Sequence, residues 1–431
     1  MRLFARHALL SDGLARDVRI DVAPDGTLAA ITRDSVPGDA ERLAGIVIPG
    51  MANLHSHAFQ RAMAGTAERR GREDDDFWSW REAMYALAAT IKPDALYDVA
   101  RDAYRAMLLA GYTSVAEFHY IHRDPSGAWY AEREATSRAL VAAARETGIA
   151  ICLLPALYAH ADVGGVPLRY EQRRFASDVD DVLAISDAVR TAYAHDADVV
   201  VGVCAHSLRA VTPHELRALL AGSPPNVPIH LHVAEQTREV DAFAAVFKER
   251  PVAWLLQNYS VDARWCLVHA TQLDEHERSA LAASGAVVGL CPTTEANLGD
   301  GVFPLAPYVH DGGRFGIGSD SNVSISPVEE LRWLEYGQRL MARRRIVAVT
   351  NAESSCGEFL YASAAAGGAQ ACGRAGGALI VGCRADLVVV GDADDADAQT
   401  ALDRYIFATD RAAPREVMVG GSWRVRDRRL A

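Results

Sequence analysis

The sequence predicts an α/β protein, a (β/α)₈ TIM-like barrel that carries a small β-sandwich built from both chain termini. Through the middle of the chain, short apolar runs alternate with amphipathic helical stretches, as in parallel strands joined by helical crossovers. Strand-and-turn patterns without helices occur only near the two ends. The length of 431 residues, half of them apolar, fits one barrel with a smaller appendage.

The two ends of the chain share a β-rich pattern. Near the N-terminus, apolar and polar residues alternate over residues 18–22, and a turn follows at residues 24–26. Near the C-terminus, Gly420 and Gly421 separate two apolar runs, which is a strong hairpin signal. We therefore predict a composite β-sandwich domain of residues 1–48 and 378–431 and a barrel domain of residues 49–377. Two unrelated terminal hairpins are the alternative.

Eight candidate strands of the barrel follow from the apolar runs, at residues 45–49, 114–118, 149–155, 199–204, 228–233, 265–269, 286–290 and 315–318. Helical patterns lie between them, at residues 94–109, 132–146, 179–194, 213–221, 238–247 and 274–283. An open doubly wound sheet is the alternative, but no Gly-x-Gly-x-x-Gly motif follows the first strand. In a barrel, functional side chains are expected at the carboxyl ends of the strands.

The amino-acid composition limits the kinds of molecule that the protein is expected to bind. The net charge of −12, from 44 basic and 56 acidic residues, argues against nucleic acid and against anionic membranes. No apolar run approaches the ~18 residues of a membrane span, and the N-terminus lacks a signal-peptide pattern. Seven cysteines at irregular spacing indicate reduced thiols rather than a disulfide framework. We expect a cytoplasmic protein that acts on a small molecule.

The strongest chemical signal is the triplet His55-Ser56-His57, which follows the apolar run 46–48. On an extended backbone residues i and i+2 point to the same face, so both imidazoles can converge on one metal ion. Two neutral imidazoles suit zinc or another borderline divalent metal. Two exposed loop histidines are the alternative, and further ligands at other strand ends decide between the two.

Such residues do follow other predicted strands. His232 and Glu235 lie at the end of the fifth strand, His269 ends the sixth, and Asp320 follows the eighth. Taken singly, His269 could be a hydrogen-bonded core histidine and Asp320 a helix N-cap. Four such residues at one end of a barrel favour a ring of functional side chains. His230 is either a second ligand or a packing residue, and we favour packing.

The order His-x-His, His-x-x-Glu, His and Ser-Asp resembles the amidohydrolase superfamily, in its mononuclear deaminase branch. The resemblance spans nearly the whole chain and implies the barrel, the terminal β-sandwich and a homodimer. Binuclear members usually carry a carboxylated lysine on the fourth strand, but residues 201–206 contain no lysine, so one metal ion is expected. Zinc is the first expectation, with Fe²⁺ or Mn²⁺ as alternatives. The resemblance implies the metal ligands His55, His57, His232 and Asp320, and the catalytic residues Glu235, His269 and Asp320.

Three longer stretches sharpen the resemblance, namely HSHAFQRAMAG (residues 55–65), FWSWR (77–81) and CPTTEANLGDG (291–301). They resemble the members of the superfamily that act on N-formimidoyl-L-glutamate. This implies hydrolytic deimination to N-formyl-L-glutamate and ammonia, a step of histidine degradation. The alternative is a deaminase of a purine, pterin or triazine ring. The resemblance implies the substrate-binding residues Gln60, Arg81, Tyr120, His206 and Arg209.

The chemistry of these residues agrees with that activity. A metal held by three histidines and an aspartate lowers the pKa of bound water, and the resulting hydroxide can attack an sp² carbon that carries a leaving nitrogen. Glu235 can serve as general acid and base only if the backbone turns after His232, because a flat strand would point it to the other face. Arg81 and Arg209 suit the two carboxylates of an anionic amino-acid derivative. Ordinary surface arginines are the alternative for both.

Overall fold

A computed structural model of the chain describes residues 1–66, 68, 76–349, 354–391, 398–408 and 413–431. The described strands form two sheets, one a barrel of parallel strands and the other a mixed sheet that draws on both ends of the chain. The predicted fold class, a barrel with a second sheet from both termini, is confirmed. The domain limits at residues 48 and 378 stay a prediction.

The strands, in chain order, are β1 (Arg2–Leu10), β2 (Gly13–Val22), β3 (Leu28–Thr32), β4 (Glu41–Arg42), β5 (Ile46–Pro49), β6 (Met51–Ser56), β7 (Tyr112–His119), β8 (Ala150–Leu157), β9 (Val199–Val201), β10 (Val203–Ser207), β11 (Ile229–Val233), β12 (Trp265–His269), β13 (Val287–Leu290), β14 (Arg314–Ile317), β15 (Leu387–Val390), β16 (Glu416–Val419), β17 (Ser422–Arg426) and β18 (Arg429–Leu430).

The helices are α1 (Phe77–Ala88), α2 (Pro93–Ala110), α3 (Ala135–Thr147), α4 (Val179–Ala192), α5 (Pro213–Gly222), α6 (Thr237–Phe247), α7 (Pro251–Asn258), α8 (Glu275–Ser284), α9 (Pro292–Leu298), α10 (Leu305–His310), α11 (Pro327–Ala342), α12 (Cys356–Ala371) and α13 (Ala401–Phe407). Short 3₁₀ helices cover Ala58–Met63, Tyr170–Gln172 and Ala398–Thr400. None of the described helices is both long enough and apolar enough to span a membrane.

The terminal sheet has the order β18-β17-β16-β15-β5-β1-β2-β3, and β4 pairs with β1. Strand β5 joins the two chain ends, because it pairs parallel with β1 and antiparallel with β15. The predicted hairpin is present between β16 and β17. Gly420 and Gly421 have φ values of 54° and 79°, and two consecutive positive φ values are what a tight two-residue hairpin turn requires.

The barrel strands have the order β6-β7-β8-β10-β11-β12-β13-β14, and β9 pairs with β8. Backbone hydrogen bonds bring the last strand back to the first. The amide of Asp320 donates to the carbonyl of His55 at 2.9 Å, and the amide of His57 donates to the carbonyl of Asp320 at 3.0 Å. The bonds that close the barrel therefore lie among predicted metal ligands and set the spacing of these three residues.

The prediction assigned the first barrel strand to the wrong sheet. Residues 45–49 were expected to open the barrel, but Ile46–Pro49 is β5 of the terminal sheet, and the barrel begins with Met51–Ser56. The chain crosses between the sheets at Gly50, where a Cβ would lie 2.4 Å from the side chain of Thr113 and 2.7 Å from that of Asp386. Only glycine fits so close an approach. His55 consequently lies within its strand, and His57 follows one residue beyond the end.

The other seven predicted strands lie in the barrel sheet with shifts of a few residues at their ends, and 199–204 is divided into β9 and β10. Every residue of β7, β8 and β11 is buried, as expected for parallel strands with side chains on one face and helices on the other. Some of the helices begin at side-chain caps, such as Thr212 before α5 and Asp274 before α8.

Candidate metal-dependent active site

A cleft opens at the carboxyl ends of the barrel strands, where a barrel is expected to bind its ligand. It is lined by nearly all of the predicted site residues. Predicted residues in its wall are His57, Gln60, Arg81, Tyr120, His206, Arg209, His232, Glu235, His269 and Asp320. The remaining predicted ligand, His55, is fully buried directly behind this wall.

The predicted metal ligands converge at the floor of the cleft. The Nε2 atoms of His55 and His57 each lie 3.5 Å from Oδ1 of Asp320. Nε2 of His232 lies 3.0 Å from Nε2 of His55. The four residues come from β6, β11 and the end of β14, so the convergence depends on the closed barrel.

Main-chain carbonyls orient two of these rings. Nδ1 of His57 donates to the carbonyl of Phe118 at 2.8 Å, and Nδ1 of His232 donates to the carbonyl of His206 at 2.7 Å. With the proton on Nδ1, each Nε2 offers a lone pair to the floor of the cleft. Burial lowers the pKa of both histidines, and that of His55 to about 3, so the imidazoles are neutral.

This donor set fits one divalent ion. Donors about 2.0–2.1 Å from a common zinc ion, at angles between 90° and 110°, are separated by roughly 3.0–3.4 Å. The observed separations are 3.0 Å, at the lower end of that range, and 3.5 Å, which is 0.1 Å above it. The ligand atoms of His55, His57 and Asp320 lie within 4.8 Å of one another, and so do those of His55, His232 and His269. Three neutral imidazoles and one carboxylate suit zinc, iron or manganese.

The strand ends turn sharply at the site. Ala234, His269 and Asp320 have φ values of 51°, 67° and 44°. Residues other than glycine seldom adopt such values, and the strain is found mainly at functional sites. The turn at Ala234 confirms the expectation that the backbone bends after His232, and it brings Glu235 into the same cleft.

Glu235, His269 and Asp320 form an array beside the proposed ligands. Nε2 of His269 lies 3.7 Å from Oε1 of Glu235 and 3.8 Å from Oδ2 of Asp320. Burial raises the pKa of Glu235 to about 7, with His269 and Arg209 opposing that rise and Asp320 adding to it. Such a carboxyl can both accept and return a proton near neutral pH. Burial lowers the pKa of His269, but Glu235 and its other carboxylate neighbours outweigh burial and hold it well above its usual value.

The predicted substrate-binding residues line the same cleft. The side-chain amide of Gln60 donates to the hydroxyl of Tyr120 at 3.0 Å, and the ring of His206 lies 4.5 Å from that of Tyr158. Arg209 is 6% exposed, and Arg81 on α1 is half-buried. They flank Trp78, with their guanidinium carbons 5.6 Å and 4.5 Å from the indole ring. Among the described residues, Nε of each has no hydrogen-bond partner.

His230, by contrast, lies away from the cleft. Its Nε2 donates to the carbonyl of Ala371 at 2.8 Å, and its residue is fully buried. The favoured packing role is confirmed, because this nitrogen is already satisfied by the main chain. Although His230 and His232 share a strand, only His232 belongs to the ligand cluster.

Sequence reasoning missed three residues of the site. Glu295 lies 3.2 Å from Nδ1 of His269, and burial, with the nearby Glu235, raises the pKa of Asp300 to about 9. Exposed Arg238 lies on α6, with its guanidinium carbon 4.5 Å from the ring of Trp78. Glu295 and Asp300 are part of the stretch CPTTEANLGDG, but nothing in its spacing shows which strand end they reach. Nothing in the sequence distinguished Arg238 from the many other arginines.

Comparison with known proteins agrees with this geometry. Residues 46–424 match the amidohydrolase family, and residues 1–45 match the N-terminal domain of formimidoylglutamate deiminase HutF. The chain is 50% identical over 433 aligned residues to formimidoylglutamate deiminase of Pseudomonas aeruginosa, covering 100% of this chain and 95% of that protein.

Solved structures are similar as well. The crystal structure of an amidohydrolase from Brucella melitensis has a TM-score of 0.95 and 45% identity, and the match covers 100% of this chain and 95% of that one. An adenosine deaminase from Xanthomonas campestris with bound zinc has a TM-score of 0.81 at 22% identity, over 100% of this chain and 94% of that one. The latter likeness concerns the fold alone.

Proposed function

The chain belongs to the amidohydrolase family, and from this premise we propose that it is a metal-dependent deiminase that converts N-formimidoyl-L-glutamate and water to N-formyl-L-glutamate and ammonia. The 50% identity to a formimidoylglutamate deiminase spans the entire chain. The N-terminal match to the corresponding domain of that enzyme supports the same activity. The reaction is a step of histidine degradation.

The observation that carries the choice of substrate is the pair of arginines in the cleft. Arg81 and Arg209 line the same cleft as the ligand cluster, and their Nε atoms lack partners among the described residues. A buried guanidinium N–H without an acceptor is costly, and a substrate with two carboxylates would supply the missing acceptors. The hydrogen-bonded pair Gln60 and Tyr120 borders the same space.

The cofactor we propose is one divalent metal ion per chain, most simply zinc, held by His55, His57, His232 and Asp320. When bound there, the metal supplies Lewis-acid activation of water near neutral pH. The chain's own contribution is to keep the three imidazoles neutral through burial, and to fix two of them through main-chain carbonyls. Fe²⁺ or Mn²⁺ would satisfy the same donors.

The remaining groups transfer protons and position the attacking oxygen. The water oxygen attacks the formimidoyl carbon, and Glu235 accepts a water proton and returns it to the departing nitrogen. Asp320, with Oδ2 beside His269, is placed to accept the second water proton and to pass it to the same nitrogen, so that the nitrogen leaves as neutral ammonia. Nε2 of His269 faces these carboxylates and is placed to donate a hydrogen bond to the attacking oxygen. A C–O bond forms, the C–N bond to the terminal nitrogen breaks, and ammonia leaves.

Ring deaminases of purines, pterins or triazines are the second candidate, because Trp80, Tyr120, Tyr158 and Phe175 line the cleft and could stack on a flat ring. Such a ring carries no carboxylates, so it would leave Arg81 and Arg209 without partners. The linear dicarboxylate therefore fits the charges of the cleft better. We propose that the substrate is this small anionic amino-acid derivative.

Three further parts of the proposal rest on family membership and composition. We propose a cytoplasmic homodimer that does not act on nucleic acid or membranes, in keeping with a net charge of −12. The domain division at residues 48 and 378 also remains a proposal. Size-exclusion chromatography with light scattering tests the dimer, since a mass near 93 kDa is expected from two chains of 46.5 kDa.

The function is tested by ammonia release from a substrate panel at equal metal loading. The panel contains N-formimidoyl-L-glutamate, its side-chain amide analogue, guanine and adenosine. We expect rapid release from the dicarboxylate, much slower release from the amide, and none from the two purines. Faster turnover of guanine or adenosine than of formimidoylglutamate would overturn the proposal in favour of a ring deaminase.

A further inference from the structure

A buried carboxylate that takes no part in the proposed reaction lies behind His269. Glu295, on α9, is 4% exposed. Its Oε1 lies 3.2 Å from Nδ1 of His269 and accepts the backbone amide of Cys291 at 3.0 Å. A buried acidic side chain needs such partners, and here the partners are one main-chain donor and one imidazole.

This contact decides which ring nitrogen faces the cleft. Oε1 of Glu295 already accepts the amide of Cys291, so we assign Nδ1 of His269 as a second donor to this oxygen. Nε2 then points to Glu235 and Asp320, at 3.7 Å and 3.8 Å. The backbone of His269 is itself strained, with φ at 67°. An imidazole on a strained turn keeps one orientation only when several contacts with its surroundings fix it.

Glu295 is in turn tied to the loop that covers this side of the cleft. Its carbonyl accepts the amide of Asp300 at 2.9 Å. The carboxylate of Asp300 accepts a hydrogen bond from Gln236, which directly follows Glu235. The carbonyl of Asp300 also accepts a hydrogen bond from the side-chain amide of Gln272 at 2.6 Å. The segment that begins at Glu295 is therefore linked to Glu235 through the side chains of Gln236 and Gln272.

We propose that Glu295 is a positioning residue for His269. It holds the imidazole by accepting from Nδ1 and so keeps Nε2 directed at the attacking oxygen. This inference rests on the proposed function, since it concerns the same reaction. It assigns Glu295 no contact with the substrate and no proton transfer, and its effect passes entirely through His269.

The test is a double-mutant cycle on ammonia release from N-formimidoyl-L-glutamate, with Glu295→Leu, His269→Asn and the double variant. Glu295→Leu removes the acceptor and should lower kcat about 10- to 100-fold with KM within about threefold, the usual loss for a residue that orients an active-site histidine. The double variant should be no slower than His269→Asn alone. If the two losses multiply, Glu295 does not act through His269 and the proposal is overturned.

Two matched variants separate positioning from packing. Glu295→Gln keeps an acceptor at the same place and should retain kcat within about fivefold. Glu330→Leu is the control, because Glu330 is also a buried carboxylate that binds the start of α9, through the amide of Thr293 at 2.9 Å and its hydroxyl at 2.6 Å. It should lower the melting temperature but not kcat. A kcat loss in Glu330→Leu equal to that in Glu295→Leu would overturn the proposal.

A spectroscopic measurement tests the positioning role of Glu295 separately from the proposed function. In ¹⁵N-histidine-labelled wild-type holoenzyme, the side-chain resonances of His269 should show a protonated Nδ1. An unprotonated Nδ1 would overturn the positioning role, even where Glu295→Leu fails to fold. If wild type releases no ammonia from formimidoylglutamate while Nδ1 is protonated, the proposed function fails and the Glu295–His269 contact stands.

Discussion

Replacing Arg209 by methionine removes a buried positive charge while keeping a side chain of similar reach. Arg209 is 6% exposed, and its guanidinium borders the cleft. A charge-assisted hydrogen bond contributes roughly 1.5–3 kcal/mol, so loss of the carboxylate contact should lower kcat/KM by about 10- to 150-fold at unchanged metal content. Lysine should restore little, because an ammonium group cannot reproduce the two parallel bonds of guanidinium.

The same substitution should also shift the pH profile. Arg209 lowers the pKa of Glu235, which burial raises to about 7. Glu235 must be ionised to accept a proton, so activity falls as pH drops through that pKa, and without Arg209 the acid limb should move to higher pH. Arg81 lies over Trp78 and Tyr85 on α1, and Arg81→Met should lose affinity without that shift.

The assay is ammonia release from formimidoylglutamate and from its side-chain amide analogue, between pH 5.5 and 9 at constant ionic strength. Wild type should prefer the dicarboxylate strongly, and the variant whose arginine binds the side-chain carboxylate should lose that preference. If wild type, Arg81→Met and Arg209→Met all treat the two substrates alike, the arginines do not recognise carboxylates. The reasoning from the charges of the cleft would then be refuted.

Three further predictions concern the metal, the proton transfer and a buried acid. His55→Ala should abolish both bound metal and turnover while leaving the circular dichroism spectrum unchanged; metal retained at one equivalent would contradict the ligand assignment. Glu235→Gln should bind metal and substrate but lose about 10²- to 10⁴-fold in kcat, and a change confined to KM would exclude proton transfer. Burial raises the pKa of Glu117 to about 8, above the ~4.3 of an unfolded chain, so wild-type stability falls as pH rises through that window. Glu117→Gln should therefore gain stability over wild type, by up to about 4 kcal/mol, as pH rises from 5 to 8; a pH-independent difference in urea unfolding would contradict this.

The periodicity of the sequence was enough to place most of the barrel. Trp265–His269 is a strand with the predicted limits. Its apolar run is short and lies between turns, which leaves little freedom in where the strand begins and ends. The convergence of His232, His269 and Asp320 also followed, since parallel strands present their carboxyl ends on one side. These inferences needed only the position of each residue along its own strand.

Contacts between distant segments could not be predicted in this way. The division of residues 46–56 into strands of two sheets depends on the space around Gly50, which Thr113 and Asp386 fill. The contact between Glu295 and His269 joins α9 to β12, and its existence depends on how the helix turns after the seventh barrel strand. Neither feature leaves a periodic signal in the sequence.

The most direct test of the account is a titration of metal into chelator-stripped protein with ammonia release from N-formimidoyl-L-glutamate as the readout. We expect no turnover without metal, a rate that rises in proportion to added zinc, and saturation at one equivalent per chain. Metal analysis of the reconstituted protein should give the same stoichiometry. Full activity in the stripped protein, or saturation only at two equivalents, would contradict a single metal held by His55, His57, His232 and Asp320.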